Sequence, residues 1–269
     1  MEERIVCEVC RADLALPEGM EGVICPFCGA ICWRGGLEPA GWDDGLPFPP
    51  LPGFEDKRRA APAREIADSW EEIFAAIADG TYGERYEIGD VKALDLGPEG
   101  VVYMQIAAFG ADDLTEGAGK APITWISREL LRTRRRMNPP AMGAIGGWPK
   151  SALRAWMNQE LTALIPEEVR GHICTVVKGQ EAVDSDGWEC WQVTRDRLWI
   201  PSFEEIREYA KLFLDMNCIE KMRADGANGS WWLRSAYDAG AYSAIRGDGR
   251  SFAVEAEECC GVCLGFCTK

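Results

Sequence analysis

The sequence predicts an α+β fold that follows a small cysteine-rich module at the amino terminus. Two Cys-x-x-Cys pairs lie within the first 34 residues. Residues 90–109 have the pattern of a strand hairpin, and residues 127–164 hold two helical patterns ahead of several short apolar segments. With 269 residues and 47% apolar content, the chain is long enough to bury the core of one medium domain beside that module.

The amino-terminal module is defined by Cys7, Cys10, Cys25 and Cys28. Each Cys-x-x-Cys pair lets two thiolates converge on one cation, and four sulfur ligands suit tetrahedral zinc. A redox dithiol needs only one such pair, and an iron–sulfur cluster is a second minority alternative. Because cysteine fills all four ligand positions, we expect a structural zinc ribbon over residues 1–34.

A linker is predicted over residues 35–64, which turn rich in glycine and proline. Proline fixes φ and removes a backbone donor, so this stretch cannot form a regular helix or sheet. The main domain is therefore expected to span residues 65–269.

The elements of that domain follow from local patterns. N-cap residues Asp68 and Ser69 precede an apolar stripe that ends at residues 79–80, which predicts the first helix. Strands are predicted at 90–97 and 101–109, joined by a turn at 97–100. Helices are expected at 127–137 and 151–164, and strands near 198–201, 230–236, 251–254 and 261–266.

Charge and composition limit the classes of partner and the locations that we expect for the protein. Lys and Arg total 29 against 44 Asp and Glu, which gives a net charge of −15 and argues against binding of nucleic acid or anionic lipid. The chain begins without the pattern of a signal peptide, and it has no apolar run of bilayer length, so a cytoplasmic or virion-associated location without membrane insertion is expected. The single histidine, His172, leaves little scope for imidazole catalysis.

The later domain resembles a widespread domain family of gut bacteria and their phages. The segments that carry the resemblance are SWEEI at 69–73, GTY at 80–82, YEIGD at 86–90, ITWIS at 123–127, GGWPKSALR at 146–154, LWIPS at 198–202, SWWLRSA at 230–236 and GVCLGFC at 261–267. The resemblance implies a C-type-lectin-like fold of the formylglycine-generating-enzyme type. Some members of the family are variable proteins of diversity-generating retroelements.

The resemblance directs attention to residues 237–254, where aromatic and adaptable polar residues lie among small ones, as in a paratope. Retroelement mutagenesis randomises adenines, and an Asn codon so treated cannot reach Glu, Lys, Gln, Met or Trp. None of these five types occurs in the stretch. An ordinary Gly- and Asp-rich loop is the alternative explanation. The predicted ligand-binding residues are Tyr237, Asp238, Ala239, Ala241, Tyr242, Ser243, Ala244, Arg246, Asp248, Arg250, Ser251 and Phe252.

Three functions remain open from the sequence. The leading hypothesis is a non-enzymatic recognition protein, with a protein ligand favoured over a sugar and homo-oligomerisation left open. The second is a thiol enzyme of the formylglycine-generating type, or a further metal site, based on the carboxy-terminal cysteines. Those cysteines are Cys259, Cys260, Cys263 and Cys267. Burial of Cys263 and Cys267 as small apolar side chains is the expectation that opposes both uses. The third function is a phage structural or adaptor protein without a diversified site.

Overall fold

The computed structural model describes residues 3–6, 13–16, 22–24, 31–33, 63–115, 119–184, 187–208, 221–222, 228–246 and 251–269. The chain divides into two compact units. One holds Met1–Arg59 with Arg250–Phe252, and the other holds Ala60–Gly249 with Ala253–Lys269.

In the smaller unit, four short strands form two antiparallel hairpins. Strand β1 (Glu3–Val6) pairs with β2 (Asp13–Leu16), and β3 (Gly22–Ile24) pairs with β4 (Ile31–Trp33). The four predicted zinc ligands lie outside the described residues. In the sequence, one Cys-x-x-Cys pair falls between β1 and β2 and the other between β3 and β4.

The larger unit begins with the predicted helix and hairpin, and both are confirmed. Helix α1 (Trp70–Ala78) starts with a capping box, in which Ser69 Oγ accepts from the Glu72 N–H and the Glu72 carboxylate accepts from the Ser69 N–H. The short helix α2 (Tyr82–Arg85) follows. Strands β5 (Val91–Asp95) and β6 (Val101–Phe109) then pair antiparallel across a 3₁₀ turn.

The prediction of a helix at residues 127–137 is wrong. Strand β7 (Ile123–Ser127) ends where that helix was to begin, irregular backbone follows, and β8 (Arg135–Arg136) completes the stretch. The physical reason is that the backbone donors bond to distant segments. The Arg128 N–H donates to the Tyr103 carbonyl and the Leu131 N–H to the Val262 carbonyl, so no i→i−4 ladder forms.

The helix predicted at 151–164 is confirmed with one irregularity. After α3 (Gly147–Lys150), Ser151 caps α4 (Ala152–Trp156), and its hydroxyl accepts from the Arg154 N–H. A π-helical turn over Met157–Leu161 continues into α5 (Thr162–Leu164), and α6 (Glu167–Arg170) follows. The remaining elements are β9 (Ile173–Cys174), β10 (Val176–Val183), β11 (Glu189–Asp196), β12 (Leu198–Trp199), α7 (Phe203–Glu208), β13 (Lys221–Met222), β14 (Asn228–Gly229), β15 (Trp231–Ala236), β16 (Ala241–Ile245), β17 (Ser251–Glu255), β18 (Cys259–Cys260) and β19 (Gly265–Thr268).

The central sheet has the strand order β12-β19-β7-β6-β5, with β9 also pairing with β19. The carboxy-terminal strand β19 therefore lies between β7 and β12, antiparallel to both, with Phe266 opposite Trp125 and Leu198. The core against this sheet is aromatic, since Trp125, Trp148 and Trp199 are all fully buried. Strand β12 is thus joined to the rest of the central sheet through β19.

Smaller sheets complete the unit. Strands β10 and β11 form a long antiparallel hairpin, β15 pairs antiparallel with β16, β8 pairs with β18, and β13 pairs with β14. The fold class is thus a mixture of helices and strands, as the sequence predicts. Among the described residues, no helix is both long and apolar enough to cross a bilayer.

Candidate functional site

A cluster of buried charges lies at the centre of the larger unit. Lys178 on β10 contacts Asp112, which lies in the bend after β6, and its Nζ donates to Glu205 Oε1 on α7 at 2.8 Å. Arg234 on β15 donates from Nη1 to Glu205 Oε2 at 2.6 Å. We call Asp112, Lys178, Glu205 and Arg234 the buried ion cluster. All four residues are less than a tenth exposed, so this is a desolvated network.

Further hydrogen bonds satisfy the remaining donors of Arg234. Its Nη1 also donates to the Ile200 carbonyl at 2.7 Å, its Nη2 to the Gly179 carbonyl at 3.0 Å, and its Nε to Gln180 Oε1 at 3.2 Å. An isolated charge is costly to bury, and such a network persists only when its groups are paired and hydrogen-bonded. The guanidinium therefore joins β15 to β10 and to the residue after β12.

The charges of the cluster stabilise each other. Burial alone would raise the pKa of Glu205, but the adjacent Arg234 and Lys178 charges outweigh burial and hold that pKa at about 2. Burial would likewise lower the pKa of Lys178, yet Glu205 and Asp112 raise it. Both side chains are accordingly charged at neutral pH.

An aromatic ring closes the cluster. The Lys178 Nζ lies 3.5 Å from the centroid of the Trp199 ring, a cation–π contact in a desolvated setting. The Trp199 ring also packs against Gly265 on β19, where a Cβ would come within 2.4 Å of the ring. Only glycine allows the indole to pack this closely against β19.

Cysteine thiols near the cluster are buried, as expected for Cys263 and Cys267. Cys267 Sγ donates to Asp112 Oδ2 at 3.1 Å, and burial together with the Asp112 charge raises the pKa of Cys267 well above its usual range. Burial also raises the pKa of Cys260 to about 11. Cys259 is half-buried at the surface. Among the described residues, no group of three or more His, Cys, Asp or Glu side chains is arranged to hold a metal ion.

The predicted ligand-binding stretch begins with the turn at residues 237–240, between β15 and β16. Tyr237 is 45% exposed at its start. The carboxylate of Asp238 accepts from the Gly240 and Ala241 N–H groups, both at 2.8 Å, which makes an Asx-type turn. The Ala239 carbonyl accepts from the Ala144 N–H at 2.8 Å. We call residues 237–240 the Tyr237 turn.

The ten predicted site residues that the structure describes separate into three groups by burial. Tyr237, Asp238, Ala239 and Arg246 are exposed, whereas Ser243, Ser251 and Phe252 are half-buried. Asp248 and Arg250 lie outside the described residues. The remaining residues are buried, namely Ala241, Tyr242 and Ala244.

The expectation that Tyr242 lies on an exposed loop is therefore wrong. It is 0% exposed, and its ring packs edge-on against Trp232 with centroids 6.4 Å apart. The reason is that residues 241–245 form strand β16, which pairs with β15 and is buried at every position except the half-buried Ser243. Burial also raises the pKa of Tyr242. Trp231, Trp232 and Leu233, on the partner strand β15, are fully buried.

The β10–β11 hairpin carries exposed apolar residues that were not among the predicted site residues. Trp188, just before β11, is 73% exposed, and Trp191 and Val193 on β11 are 59% and 58% exposed. An open groove of about 470 Å³ lies beside them. It is lined by Pro149, Arg154, Val177, Val193, Thr194 and Arg195. The available signal was the alternation of apolar and polar residues over 191–194 (Trp, Gln, Val, Thr).

We predict that Glu205→Gln destabilises the protein at pH 7 by about 3–5 kcal/mol, because it leaves Lys178 and Arg234 without their shared carboxylate. The ordinary pKa of Glu205 is 4.5 and its folded value is about 2, so its contribution is complete above pH 4.5 and is lost as the pH falls towards 2. This contribution is about 3 kcal/mol. Urea unfolding from pH 7 to pH 2.5 measures it.

The control for this substitution is Glu204→Gln, on the same helix but only half-buried. We expect it to cost less than about 1 kcal/mol. Equal loss of stability in the two variants, or an unchanged acid dependence in Glu205→Gln, contradicts the assignment.

A second prediction concerns the two kinds of residue in the candidate stretch. Tyr242→Ala removes a buried ring and is expected to cost about 3–5 kcal/mol, whereas Arg246→Ala changes an exposed side chain and is expected to cost about 0.5 kcal/mol or less. Thermal unfolding measures both variants beside Trp232→Ala, which is expected to lose about as much stability as Tyr242→Ala. A small effect of Tyr242→Ala is the result that conflicts with its place in the core.

Comparison with known proteins identifies a family. No curated protein and no solved structure matches the chain. The model of a family described as a domain of unknown function (DUF6273) matches residues 124–263. This region contains Lys178, Glu205 and Arg234 of the buried ion cluster, together with the Tyr237 turn. Because the match spans more than half of the 269 residues, the chain belongs to the DUF6273 domain family.

Proposed function

We propose that the protein is a non-enzymatic ligand-recognition protein whose rigid scaffold presents the Tyr237 turn and the adjoining loop to a variable ligand. The observation that carries the proposal is an exposed aromatic side chain on a fixed turn. Tyr237 projects from a turn whose conformation is set by Asp238 and by the Ala144 hydrogen bond to Ala239. Rigid aromatic anchors of this kind bind at a low cost in conformational entropy.

The base of the turn is rigid as well. Strand β15 ends one residue before Tyr237, and its Arg234 lies in the buried ion cluster. The Ser235 hydroxyl accepts from the Phe203 N–H at 2.9 Å, at the start of α7. Strand β15 is thus fixed on two sides, while the turn beyond it carries little of the core. A recognition site benefits when buried residues hold the backbone in place and other, exposed residues contact the ligand.

The diversified form of this hypothesis is part of the proposal. We propose a C-type-lectin-like scaffold in which residues 237–252 are varied by a retroelement. The exposed positions Tyr237, Ala239 and Arg246 can change without loss of core packing, whereas the exposed Asp238 also fixes the turn. The buried positions Ala241, Tyr242 and Ala244 limit which changes the fold tolerates.

We predict that copies of this gene from one population differ mainly at the exposed positions. Sequencing should find changes at Tyr237, Ala239 and Arg246 more often than at Trp232 or Arg234. A reverse transcriptase gene and a near-copy of the 3′ end should lie nearby. An invariant stretch without either neighbour removes the diversified site and favours the structural or adaptor function.

The thiol-enzyme alternative receives less support from the site. An enzyme of that type needs an ionised thiol that a substrate can reach. Cys263 and Cys267 are fully buried, and the pKa of Cys267 is raised well above its usual range. We therefore retain the non-enzymatic proposal, with a protein ligand favoured over a sugar and a cytoplasmic or virion-associated location. The acidic net charge disfavours nucleic acid as the ligand.

We further propose that residues 1–34 are a structural zinc ribbon with Cys7, Cys10, Cys25 and Cys28 as ligands. The support is the order of the strands, since each Cys-x-x-Cys pair falls between two strands that pair antiparallel. Four thiolates suit tetrahedral zinc and leave no position open for a substrate.

We predict one zinc ion per chain and its loss in Cys10→Ser, because three thiolates hold the metal less well than four. Elemental analysis of freshly reduced protein measures the content. The matched control is Cys190→Ser, which lies on β11 and should keep the metal. Equal zinc in Cys10→Ser and the wild type excludes the proposed ligand set.

A further inference from the structure

The β10–β11 hairpin has an inverted distribution of polarity. Its inward face carries polar side chains, including Lys178 and Gln180, which are fully buried in and beside the ion cluster. Its outward face on β11 carries Glu189, Trp191, Val193 and Arg195, all exposed. A strand of a monomeric protein usually turns its apolar residues inward. The outward Trp and Val therefore mark an interaction surface.

The orientation of Trp191 leaves the edge of β11 open. Gly179 on β10 lies beneath the indole, since a Cβ there would come within 2.4 Å of the ring. The ring thus leans over β10, away from the outer edge of β11. In the part of the chain that the structure describes, β11 pairs with β10 alone. At the carboxyl end of β11 the edge is occupied, because the Arg195 carbonyl accepts from Arg154 Nη2 at 3.1 Å. The rest of the edge, which carries Trp191 and Val193, is a template for pairing with another strand.

The outward residues of β11 form a self-complementary series. In chain order they are an acid, an aromatic residue, an aliphatic residue and a base, at every second position. A second β11 placed antiparallel about Gln192 brings Glu189 opposite Arg195 of the partner subunit. It also brings Trp191 opposite Val193 of the partner subunit. Opposite charges and aromatic–aliphatic pairs both stabilise cross-strand neighbours.

We propose that this edge is the interface of a homodimer, in which two β11 strands pair antiparallel about Gln192 and join two hairpins into one four-stranded sheet. The pairing is isologous, because each subunit contributes the same strand and both charge pairs form twice. This inference does not depend on the proposed ligand surface, which lies on the Tyr237 turn.

The charges select one arrangement among those that the edge allows. A parallel pairing in register sets Glu189 against Glu189 of the partner subunit and Arg195 against Arg195 of the partner subunit, which is repulsive. A shift of two residues in the antiparallel pairing separates both charge pairs. Only the register about Gln192 satisfies the charges and covers both Trp191 and Val193.

Sedimentation equilibrium of the full-length protein tests the interface over a range of concentrations. We expect a wild-type dimer and at least tenfold weaker association for Arg195→Glu, because this change sets two acids against each other at both ends of the interface. Glu189→Arg should weaken association similarly by setting two bases together. The matched control is Arg132→Glu, the same change at an exposed position away from the hairpin, which should dimerise as the wild type does.

Mixing the two charge variants gives the sharpest result. The Glu189→Arg chain carries two bases along its edge, and the Arg195→Glu chain carries two acids. When the two proteins are mixed, they should therefore associate as a heterodimer. Circular dichroism of each single variant verifies that it is folded. A monomeric wild type, a dimer unaffected by Arg195→Glu, or the absence of a heterodimer in the mixture overturns the proposal.

Discussion

The contact of Lys178 and Arg234 with the shared carboxylate of Glu205 is the interaction on which the larger unit depends. Each of these charges would be costly to bury alone, so each element that supplies one is bound to the others. Strands β10 and β15 and helix α7 meet at this carboxylate. Asp112 adds the segment after β6. An apolar core could slide or repack, but a buried ion cluster accepts only the arrangement in which every charge is paired.

This constraint explains the unusual polarity of the β10–β11 hairpin. Because β10 must direct Lys178 and Gln180 inward, beside the buried Val176 and Ala182, the inner face of the hairpin is partly polar. The inner face of β11 is polar as well, since Asp196 accepts from the Trp148 indole N–H at 2.9 Å and from the Thr194 hydroxyl at 2.7 Å. The apolar residues of β11 are left on the outside. The proposed dimer edge is thus a consequence of how the interior is built.

Local patterns predicted the elements whose partners are close in sequence. The capping box at Ser69, the β5–β6 hairpin and the helix after Ser151 all depend on residues within one element or one turn. The stretch 127–137 was mispredicted because its donors bond to residues as distant as Val262. No periodicity encodes such a contact. Tyr242 was mispredicted because its glycine-rich neighbours resemble a loop, whereas the pairing of β16 with β15 decides its burial.

The candidate site was less accessible to sequence reasoning than the fold. Lys178, Glu205 and Arg234 are separated by tens of residues, and charged residues are ordinarily assigned to the surface. The exposure of Trp191 and Val193 was not predicted either, because an alternating strand normally buries its apolar residues. Both errors have one cause, which is the exchange of polar and apolar roles between the two faces of the hairpin.

The ion cluster also determines how the Tyr237 turn can act. Arg234 lies three residues before Tyr237, on the strand that leads into the turn, so a buried charge fixes the base of the turn. Within the turn Asp238 fixes the backbone, and the side chains of Tyr237 and Ala239 are exposed before β16 begins at Ala241. A surface supported in this way can change its chemistry residue by residue while its backbone keeps one shape, which is the property that a variable recognition site requires.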